Sequence, residues 1–237
     1  MVESAAAQTT SDQSYFLTGW QIYRKVLDLD YMGHSEVYGA LREGLSAAAP
    51  GFAFLDIACG DAAVSARALA GSGVGSYAGI DISRPALDIA ARELAGLDCP
   101  VRLIEQDLRE ALAGWRDPVD FAWLGQSLHH FQPAEKRAVL RSIRQILAPG
   151  GVFMLWEPTL LPGEDRHGWL GRLAVRRGHW PEITDVEWKV MYDHCSASDF
   201  PETDADWLAM AHESGFHGGR AVFTAPAFIN RVYRFDG

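Results

Sequence analysis

LDIACGDAA, residues 55–63, joins a short apolar run directly to an alanine-rich segment. This pattern predicts a buried strand, a tight turn and then a helix. In open α/β sheets, ligands bind at the carboxyl ends of the strands, close to helix N-termini. Gly60 would let the backbone approach a ligand that a side chain would block. A glycine at this place is also compatible with a simple turn, so the interpretation needs support from the rest of the chain.

Outward from this segment, apolar runs alternate with segments of helical periodicity. Strands are predicted at residues 52–58, 76–82, 100–104, 119–125 and 152–156. Helices are predicted at residues 35–48 with Ser35 as the N-cap, at 61–70, after the N-cap Ser83, and at 133–147. Short strands that alternate with helices of this length predict right-handed crossovers and a mostly parallel sheet.

The end of the chain departs from this alternation. After a predicted helix at 204–214, two strands at 218–224 and 229–235 are separated by too few residues for a parallel crossover, so they must pair antiparallel. We therefore predict an α/β fold with a Rossmann-like sheet of seven strands and a C-terminal antiparallel hairpin. Residues 1–50 would form a helical substrate lid and residues 51–237 the core. A cap is expected around 158–201, where no clean period is found.

Acidic residues stand at the ends of three successive predicted strands: Asp56, Asp81 and Asp107. Asp81 follows Gly60 by 21 residues, close to the separation of about 20 residues at which a carboxylate accepts both hydroxyls of a ribose. Asp107 is placed to accept from the exocyclic amine of an adenine. One aspartate at a strand end is usually a helix cap, but capping does not predict three in register. The pattern favours a nucleoside site.

The same residues distinguish between two kinds of nucleoside ligand. A dinucleotide carries a pyrophosphate and is usually bound by G-x-G-x-x-G. Between residues 56 and 70 the only glycine is Gly60, and Asp56 and Asp61 would place negative charge beside the phosphates. S-adenosylmethionine has no phosphate and carries a sulfonium and an ammonium group, both of which tolerate nearby acids. The sequence therefore favours S-adenosylmethionine over a nicotinamide cofactor.

Taken together, five ordered segments resemble the motifs of class I S-adenosylmethionine-dependent methyltransferases: residues 55–63, 79–83, 105–108, 121–131 and 147–151. The resemblance covers roughly residues 52–157 and the terminal hairpin. It implies that S-adenosylmethionine is the cofactor and S-adenosylhomocysteine its product. The family's glycine-rich loop has alanine at two glycine positions here, Ala58 and Ala62.

Carried over residue by residue, the resemblance assigns parts of the cofactor to residues of this chain. The loop around the methionine part would consist of Asp56, Ala58, Cys59 and Gly60. The adenosine would be held by Asp81 at the ribose, Ile82 beside the adenine, and Gln106, Asp107 and Leu108 around it. Gln126 and Ser127 would face the cofactor after the fourth strand.

Two histidines after the fourth strand, His129 and His130, are the candidates for a catalytic base. They would lie near the transferred methyl group, and the pKa of an unperturbed histidine is close to neutral pH. The alternative is that this LHHF segment is a structural loop. Glu157, at the end of the fifth strand, is a weaker candidate, because an acid there is more often an ion-pair or helix-terminus partner.

Aromatic residues from two regions are candidates for the wall of a substrate pocket. Five of the eight tryptophans follow residue 155, which suits an aromatic-lined cavity, although each alone could be core packing. The predicted substrate-binding residues are Tyr23, Tyr31, His34, Trp156, Glu157, Trp188 and Tyr192. Trp169 and Trp180 are further candidates for this wall.

Composition limits the partners. The net charge of −10 argues against nucleic acid and against an anionic membrane surface, so a small-molecule substrate is expected, with methylation at oxygen or nitrogen. The N-terminal residues lack a basic start followed by an apolar run, and three scattered cysteines match neither a disulfide framework nor a zinc motif. A cytoplasmic enzyme is therefore expected; the sequence does not indicate its oligomeric state.

Particular residues argue against two competing functions. Residues 125–128 begin like a nucleophile elbow, but His129 replaces its second glycine, which argues against a hydrolase. Gln126, Ser127 and the two histidines do not supply the clustered acids of a catechol-type metal site, so no metal is expected. The acids at Asp199, Glu202, Asp204 and Asp206 are interpreted as a solvated helix start. A non-catalytic S-adenosylmethionine-binding regulatory module stays open as an alternative.

Overall fold

A computed structural model gives the structure of the protein at residue 19 and residues 21–237. Residues 1–18 and 20, which include the predicted polar tail and the first part of the predicted lid, lie outside the described residues. Strands of the described chain are β1 (Ala53–Ile57), β2 (Ser76–Asp81), β3 (Val101–Glu105), β4 (Val119–Gly125), β5 (Leu147–Leu160), β6 (Glu202–Thr203), β7 (Gly218–Thr224) and β8 (Asn230–Asp236).

The helices connect these strands and precede the first of them. They are α1 (residues 21–28), α2 (His34–Leu45), α3 (Ala63–Leu69), α4 (Arg84–Glu93), α5 (Leu108–Gly114), α6 (Pro133–Ile146), α7 (Arg166–Arg176), α8 (Asp185–Ser198) and α9 (Asp204–Glu213). Within the described residues, no helix is both long enough and apolar enough to cross a membrane.

One sheet organises the chain, in the order β3-β2-β1-β4-β5-β8-β7, with β6 paired to the end of β5. The strands from β3 to β5 are parallel, whereas β8 is antiparallel to both β5 and β7. The predicted parallel sheet with a terminal antiparallel hairpin is confirmed. The described chain has one strand more than predicted, because the two residues of β6 extend the sheet beside Thr159 and Leu160.

Both faces of the sheet are covered by apolar side chains. On one face, Leu55, Leu124 and Leu155 pack with Ile143 of α6 and Trp207 of α9. On the other face, Phe54, Tyr77 and Phe121 pack with Val37 and Leu41 of α2. The strand order reverses between β1 and β4, which places the switch point of the sheet, where such folds bind ligands, at the carboxyl ends of these two strands.

Local contacts explain where helix boundaries differ from the prediction. The N-cap of α2 is Gly33, with φ 73°, so the predicted N-cap Ser35 is wrong. Ser35 lies in the first turn of α2, and its amide donates to Asp30 Oδ1 at 3.0 Å. Helix α3 begins at Ala63, two residues later than predicted, because residues 58–62 form an extended turn around the end of β1.

The region predicted as a cap, residues 158–201, contains the helices α7 and α8. Helix α7 packs through Trp169 and Leu173, which lie in one apolar cluster with Ile229, the residue before β8. Ion pairing also joins the cap to the N-terminal region, since Lys25 Nζ lies 3.0 Å from Glu187 Oε2. Helix α1 and helix α8 of this region are therefore next to each other.

Candidate active site

The turn after β1 has an unusual backbone. Ala58, Gly60 and Ala62 have φ values of 54°, 54° and 56°, all in the left-handed region. A residue with a Cβ pays roughly 1–2 kcal/mol in that region, while glycine does not. The two alanines therefore occupy glycine conformations, which explains why the chain resembles a glycine-rich loop while carrying only one glycine.

This strain makes a stability prediction. We expect Ala58→Gly to raise the free energy of unfolding by about 0.5–1 kcal/mol. The substitution removes the strain of the left-handed backbone, and this gain is larger than the entropic cost of ordering a glycine, which is more flexible in the unfolded chain. Urea denaturation would measure the change. In the matched control, Ala66→Gly inside α3, the same substitution should instead lower stability by about 1 kcal/mol. A loss of similar size at both positions would contradict the strain.

Asp81 at the end of β2 holds this turn in place. Its Oδ2 accepts from the Gly60 amide at 2.8 Å and its Oδ1 accepts from the Ser83 amide at 2.8 Å. Ser83 caps α4, since its hydroxyl oxygen accepts from the Ala86 amide at 3.3 Å, as the sequence predicted. The carboxylate is thus not needed as a helix cap, and it joins the first and second βα turns at the rim of the cavity described below.

Asp56, near the end of β1, is buried, with 2% of its surface exposed. Its carboxylate accepts a 2.7 Å hydrogen bond from the Tyr77 hydroxyl. Burial raises the pKa of Asp56 to about 7, with a smaller contribution from the negative charges of Asp81 and Asp61. This carboxyl group is therefore balanced between its neutral and ionised forms near neutral pH.

Asp107 differs from the other two strand-end acids. It is the N-cap of α5, where its Oδ1 accepts from the Arg109 amide at 2.8 Å. Hydrogen bonds from the Arg109 guanidinium are the main reason why the pKa of Asp107 is lowered. The argument that capping does not account for these three acids is therefore wrong for Asp107, because Asp107 caps a helix as well as lining the cavity.

A single cavity of about 890 Å³ lies at the carboxyl edge of the sheet. All the predicted cofactor-binding residues line it: Asp56, Ala58, Cys59, Gly60, Asp81, Ile82, Gln106, Asp107, Leu108, Gln126 and Ser127. Burial raises the pKa of the Cys59 thiol, which keeps it neutral. Ile82 stands out because 72% of this apolar side chain is exposed at the cavity rim.

The histidines that follow β4 also line the cavity. His129 is buried, and its Nδ1 lies 2.5 Å from Glu157 Oε2. Glu157 Oε1 accepts from the amides of Ser127, at 3.0 Å, and Leu128, at 2.6 Å. Although burial opposes it, the charge of His129 and these hydrogen bonds hold the pKa of Glu157 below its usual range.

Contrary to the prediction for a substrate-binding residue, Glu157 does not line the cavity. It is fully buried and is not among the lining residues of the described cavity. Its two oxygens are occupied by the loop that carries the histidines, so its effect is to position that loop. Glu157 was also a candidate for a catalytic base or an ion-pair partner. Its contact with His129 matches the ion-pair partner.

Only two of the remaining predicted substrate residues, Tyr23 and Trp156, line the cavity. Tyr31 instead stacks on Trp180, with ring centroids 5.3 Å apart, and accepts from the Glu182 amide. His34 is 1% exposed and packs edge-on against Trp156. Tyr31 and His34 therefore pack behind the cavity-lining residues Trp180 and Trp156 and do not line the cavity themselves.

Trp188 and Tyr192 are also wrong as cavity residues. They lie on α8 and stack on each other with ring centroids 6.4 Å apart. Trp188 packs edge-on against Trp180, which does line the cavity, as does Trp169. The aromatic cluster exists as predicted, but helix α8 turns other side chains, Val190, Met191, His194 and Cys195, toward the cavity.

Several lining residues were not predicted as site residues. They include the apolar residues Ile22, Val26, Met32, Trp123, Leu173 and Ile229, and the polar residues His194 and Asp199. The interpretation of Asp199 as part of a solvated helix start is wrong, because only 4% of it is exposed. Glu202 is likewise engaged, with Lys136 Nζ at 2.7 Å. The apolar residues are ordinary core types in sequence and gave no signal.

Helix α1 contributes Ile22, Tyr23 and Val26 to the cavity wall. It is tied to the turn after β1, since Arg24 Nη1 lies 2.8 Å from Asp61 Oδ2. Asp61 also accepts from the Ala63 amide at 3.1 Å. The start of the described chain is therefore connected directly to the turn that carries Gly60.

Comparison with known proteins agrees with this architecture. Residues 54–151 match the methyltransferase domain family. Over 95 residues the chain is 35% identical to the carboxy-S-adenosyl-L-methionine synthase of Chromohalobacter salexigens, a match that covers 39% of this chain and 34% of that protein. The chain thus matches about a third of the length of this curated relative.

Solved structures share the fold over more of the chain. Magnesium protoporphyrin IX methyltransferase from Synechocystis with bound S-adenosylhomocysteine superposes with a TM-score of 0.64 at 17% identity, covering 96% of this chain and 99% of that one. A cyclopropane synthase from Mycobacterium tuberculosis has a TM-score of 0.58 at 16% identity, covering 85% and 82%. The chain therefore shares the fold of these solved structures, and its residues 54–151 match the methyltransferase domain family.

Proposed function

We propose that this protein transfers the methyl group of S-adenosylmethionine to an oxygen or nitrogen of a small, largely apolar molecule. The observation that carries the proposal is one continuous cavity that is lined by the predicted cofactor residues, by a group of aromatic residues and by His129 and His130. A group transferred between two molecules requires both to reach one space, and this cavity of about 890 Å³ is large enough for both.

The cofactor end of the cavity matches an adenosyl sulfonium in charge and shape. Asp81 lines this end, where we place the ribose, and Ile82 offers an exposed apolar surface that an adenine ring would cover. Asp56 and Asp61 face the same end, which suits a ligand with a positive charge and no phosphate. Ala58 and Gly60 leave the backbone accessible beside the methionine part.

The acceptor end is apolar and aromatic. Its wall includes Trp156, Trp169, Trp180, Leu173 and Met191. Among the lining residues of the described chain there is no lysine or arginine. An anionic group buried against this aromatic wall would have no lysine or arginine beside it, so we infer a neutral or cationic acceptor with a flat apolar body. The same charge argument disfavours nucleic acid.

Methyl transfer is an in-line displacement, so most of its acceleration can come from alignment of the nucleophile, methyl carbon and sulfur. The acceptor heteroatom forms a bond to the methyl carbon while the carbon–sulfur bond breaks. The electron pair of the broken bond stays on sulfur, and the proton of the acceptor is released to solvent. His129 and His130 also line the cavity, and we place the junction of the two compartments, with the acceptor heteroatom, beside them.

The test is turnover with methyl-labelled S-adenosylmethionine on a panel of phenols, indoles and aromatic amines, with aromatic carboxylates as the matched anionic set. We expect labelled product from members of the neutral or cationic sets and none from the carboxylates. Binding of S-adenosylhomocysteine without labelled product from any acceptor would contradict the proposal and favour the non-catalytic regulatory module. Labelled carboxylate esters would contradict the acceptor class.

The raised pKa of Asp56 makes a prediction about pH. In the free protein Asp56 is protonated below about pH 7, whereas a cationic ligand favours the ionised form. The affinity for S-adenosylmethionine should therefore rise by up to tenfold per pH unit from about 5.5 to 7, then level off. Calorimetric titration across this range would measure it. Asp56→Asn should flatten the profile; an equally steep profile in that variant would contradict the assignment.

A further inference from the structure

Three side chains that can bind a metal ion converge at the junction of the two compartments. His129 and His130 follow β4, and Asp199 follows α8, so the group is assembled across a long stretch of sequence. One ligand atom from each residue can be chosen so that all three lie within 4.8 Å of one another. All three residues line the cavity.

The distances within this group do not correspond to hydrogen bonds. Asp199 Oδ1 lies 3.7 Å from His129 Nε2 and 3.5 Å from His130 Nδ1. Two ligands bound at about 2.1 Å to one tetrahedral ion are about 3.4 Å apart. The separations therefore match ligands that share an ion better than groups that bind each other directly.

A second observation concerns Asp199 itself. Its Oδ1 is buried and has no hydrogen-bond partner among the described residues, although only 4% of the residue is exposed. Leaving a buried charged oxygen without a partner is costly, and buried carboxylates are normally paired or bound to metals. The unsatisfied oxygen belongs to a residue of the cavity wall, where a ligand could reach it.

The surroundings of His129 are those of a metal ligand. Its Nδ1 is held at 2.5 Å by Glu157, which orients the ring and leaves Nε2 directed toward Asp199. A carboxylate behind a histidine is the usual outer support of a metal-bound imidazole, because it selects the tautomer and increases the basicity of the ligating nitrogen. The nearby Lys136 is paired with Glu202 and donates to the Phe200 carbonyl, so its charge is compensated.

We propose that His129, His130 and Asp199 bind one divalent transition-metal ion of the zinc, iron(II) or manganese class, with open coordination positions facing the acceptor compartment. His130 Nδ1 lies 3.3 Å from the Ser198 carbonyl, so ion binding requires this ring to move its proton to Nε2. Two histidines and one carboxylate with open positions are a donor set suited to such ions.

Its use in the reaction rests on the proposed function. An acceptor hydroxyl bound to the ion would lose its proton to solvent more readily. Its oxygen lone pair would then attack the methyl carbon, while the carbon–sulfur electron pair remains on sulfur as S-adenosylhomocysteine. The acceptor is thereby defined further, as a molecule whose hydroxyl or amine can coordinate a metal where the two compartments of the cavity meet.

The test titrates Co²⁺, as a spectroscopic probe, into tag-free protein that has been stripped with a chelator, and then displaces it with Zn²⁺. We expect one Co²⁺ per chain with visible absorption. Asp199→Asn and His130→Gln should each weaken its binding at least 10- to 100-fold. The matched control is His194→Gln, a neighbouring cavity histidine outside the group, which should change affinity by only a few-fold.

Absence of Co²⁺ and Zn²⁺ binding by the unaltered protein, or equal affinity in the Asp199→Asn and His130→Gln variants, would overturn the metal site. His130 is partly exposed, so its variant keeps the test independent of core folding. Titration of S-adenosylhomocysteine separates the two proposals. If the protein binds S-adenosylhomocysteine and transfers methyl groups but binds no metal, only the proposed metal site is rejected.

Discussion

Replacing Asp81 with alanine is expected to weaken the binding of S-adenosylhomocysteine about 10- to 100-fold, because one charged hydrogen-bond acceptor is worth roughly 1.5–3 kcal/mol. The structure adds a second effect. Asp81 also accepts from the amides of Gly60 and Ser83, so the alanine variant leaves two backbone donors without their partner. We therefore expect the free energy of unfolding to fall as well, by about 1–3 kcal/mol. Calorimetric titration and urea denaturation measure the two effects separately.

The matched control is Asp88→Ala. Asp88 lies on α4 and is paired with Arg84 on an exposed surface. Removal of this exposed ion pair should leave the affinity unchanged and alter stability by less than about 1 kcal/mol. An Asp81→Ala variant that binds S-adenosylhomocysteine as tightly as the unaltered protein would show that the carboxylate does not hold the ribose.

Glu157→Ala is expected to lower the free energy of unfolding by about 3–5 kcal/mol. Glu157 is fully buried, and it accepts from the amides of Ser127, Leu128 and His129 as well as from the His129 ring. Its removal leaves several buried donors without an acceptor. Because all of them belong to the loop after β4, the variant should also lose the order of that loop.

Urea denaturation checks this value against Glu105→Ala. Glu105 is also a glutamate at the end of a parallel strand, β3, but it is exposed. Its substitution should change stability by no more than about 0.5 kcal/mol. If the two variants lost similar amounts, Glu157 would not be the support of the histidine loop.

The fold was predictable because its signals are local. The apolar runs at β1, β2 and β4, the N-cap Ser83 and the short connection between the last two strands each depend on neighbouring residues. The cofactor end shares this property, since its residues follow strand ends directly. All of those predicted residues therefore line one cavity, even though Asp107 has the additional role of a helix cap.

The acceptor end was less predictable because it depends on packing between distant segments. Asp199 resembles any acid before a helix, and only the approach of the α8 terminus to the loop after β4 places it beside His129 and His130. Similarly, an aromatic residue on α8 can face the cavity or the core according to the helix rotation. Composition indicated an aromatic compartment, but it could not separate Trp180, which lines it, from Trp188, which lies behind.

The most direct test of the central claim is a calorimetric titration of the unaltered protein with S-adenosylmethionine, S-adenosylhomocysteine and NADH. The acidic crevice at the ends of β1 and β2 suits a ligand that carries no phosphate. We therefore expect one molecule of S-adenosylmethionine or S-adenosylhomocysteine to bind per chain, and no binding of NADH. Binding of NADH, or no detectable binding of S-adenosylmethionine and S-adenosylhomocysteine, would contradict the assignment of this crevice.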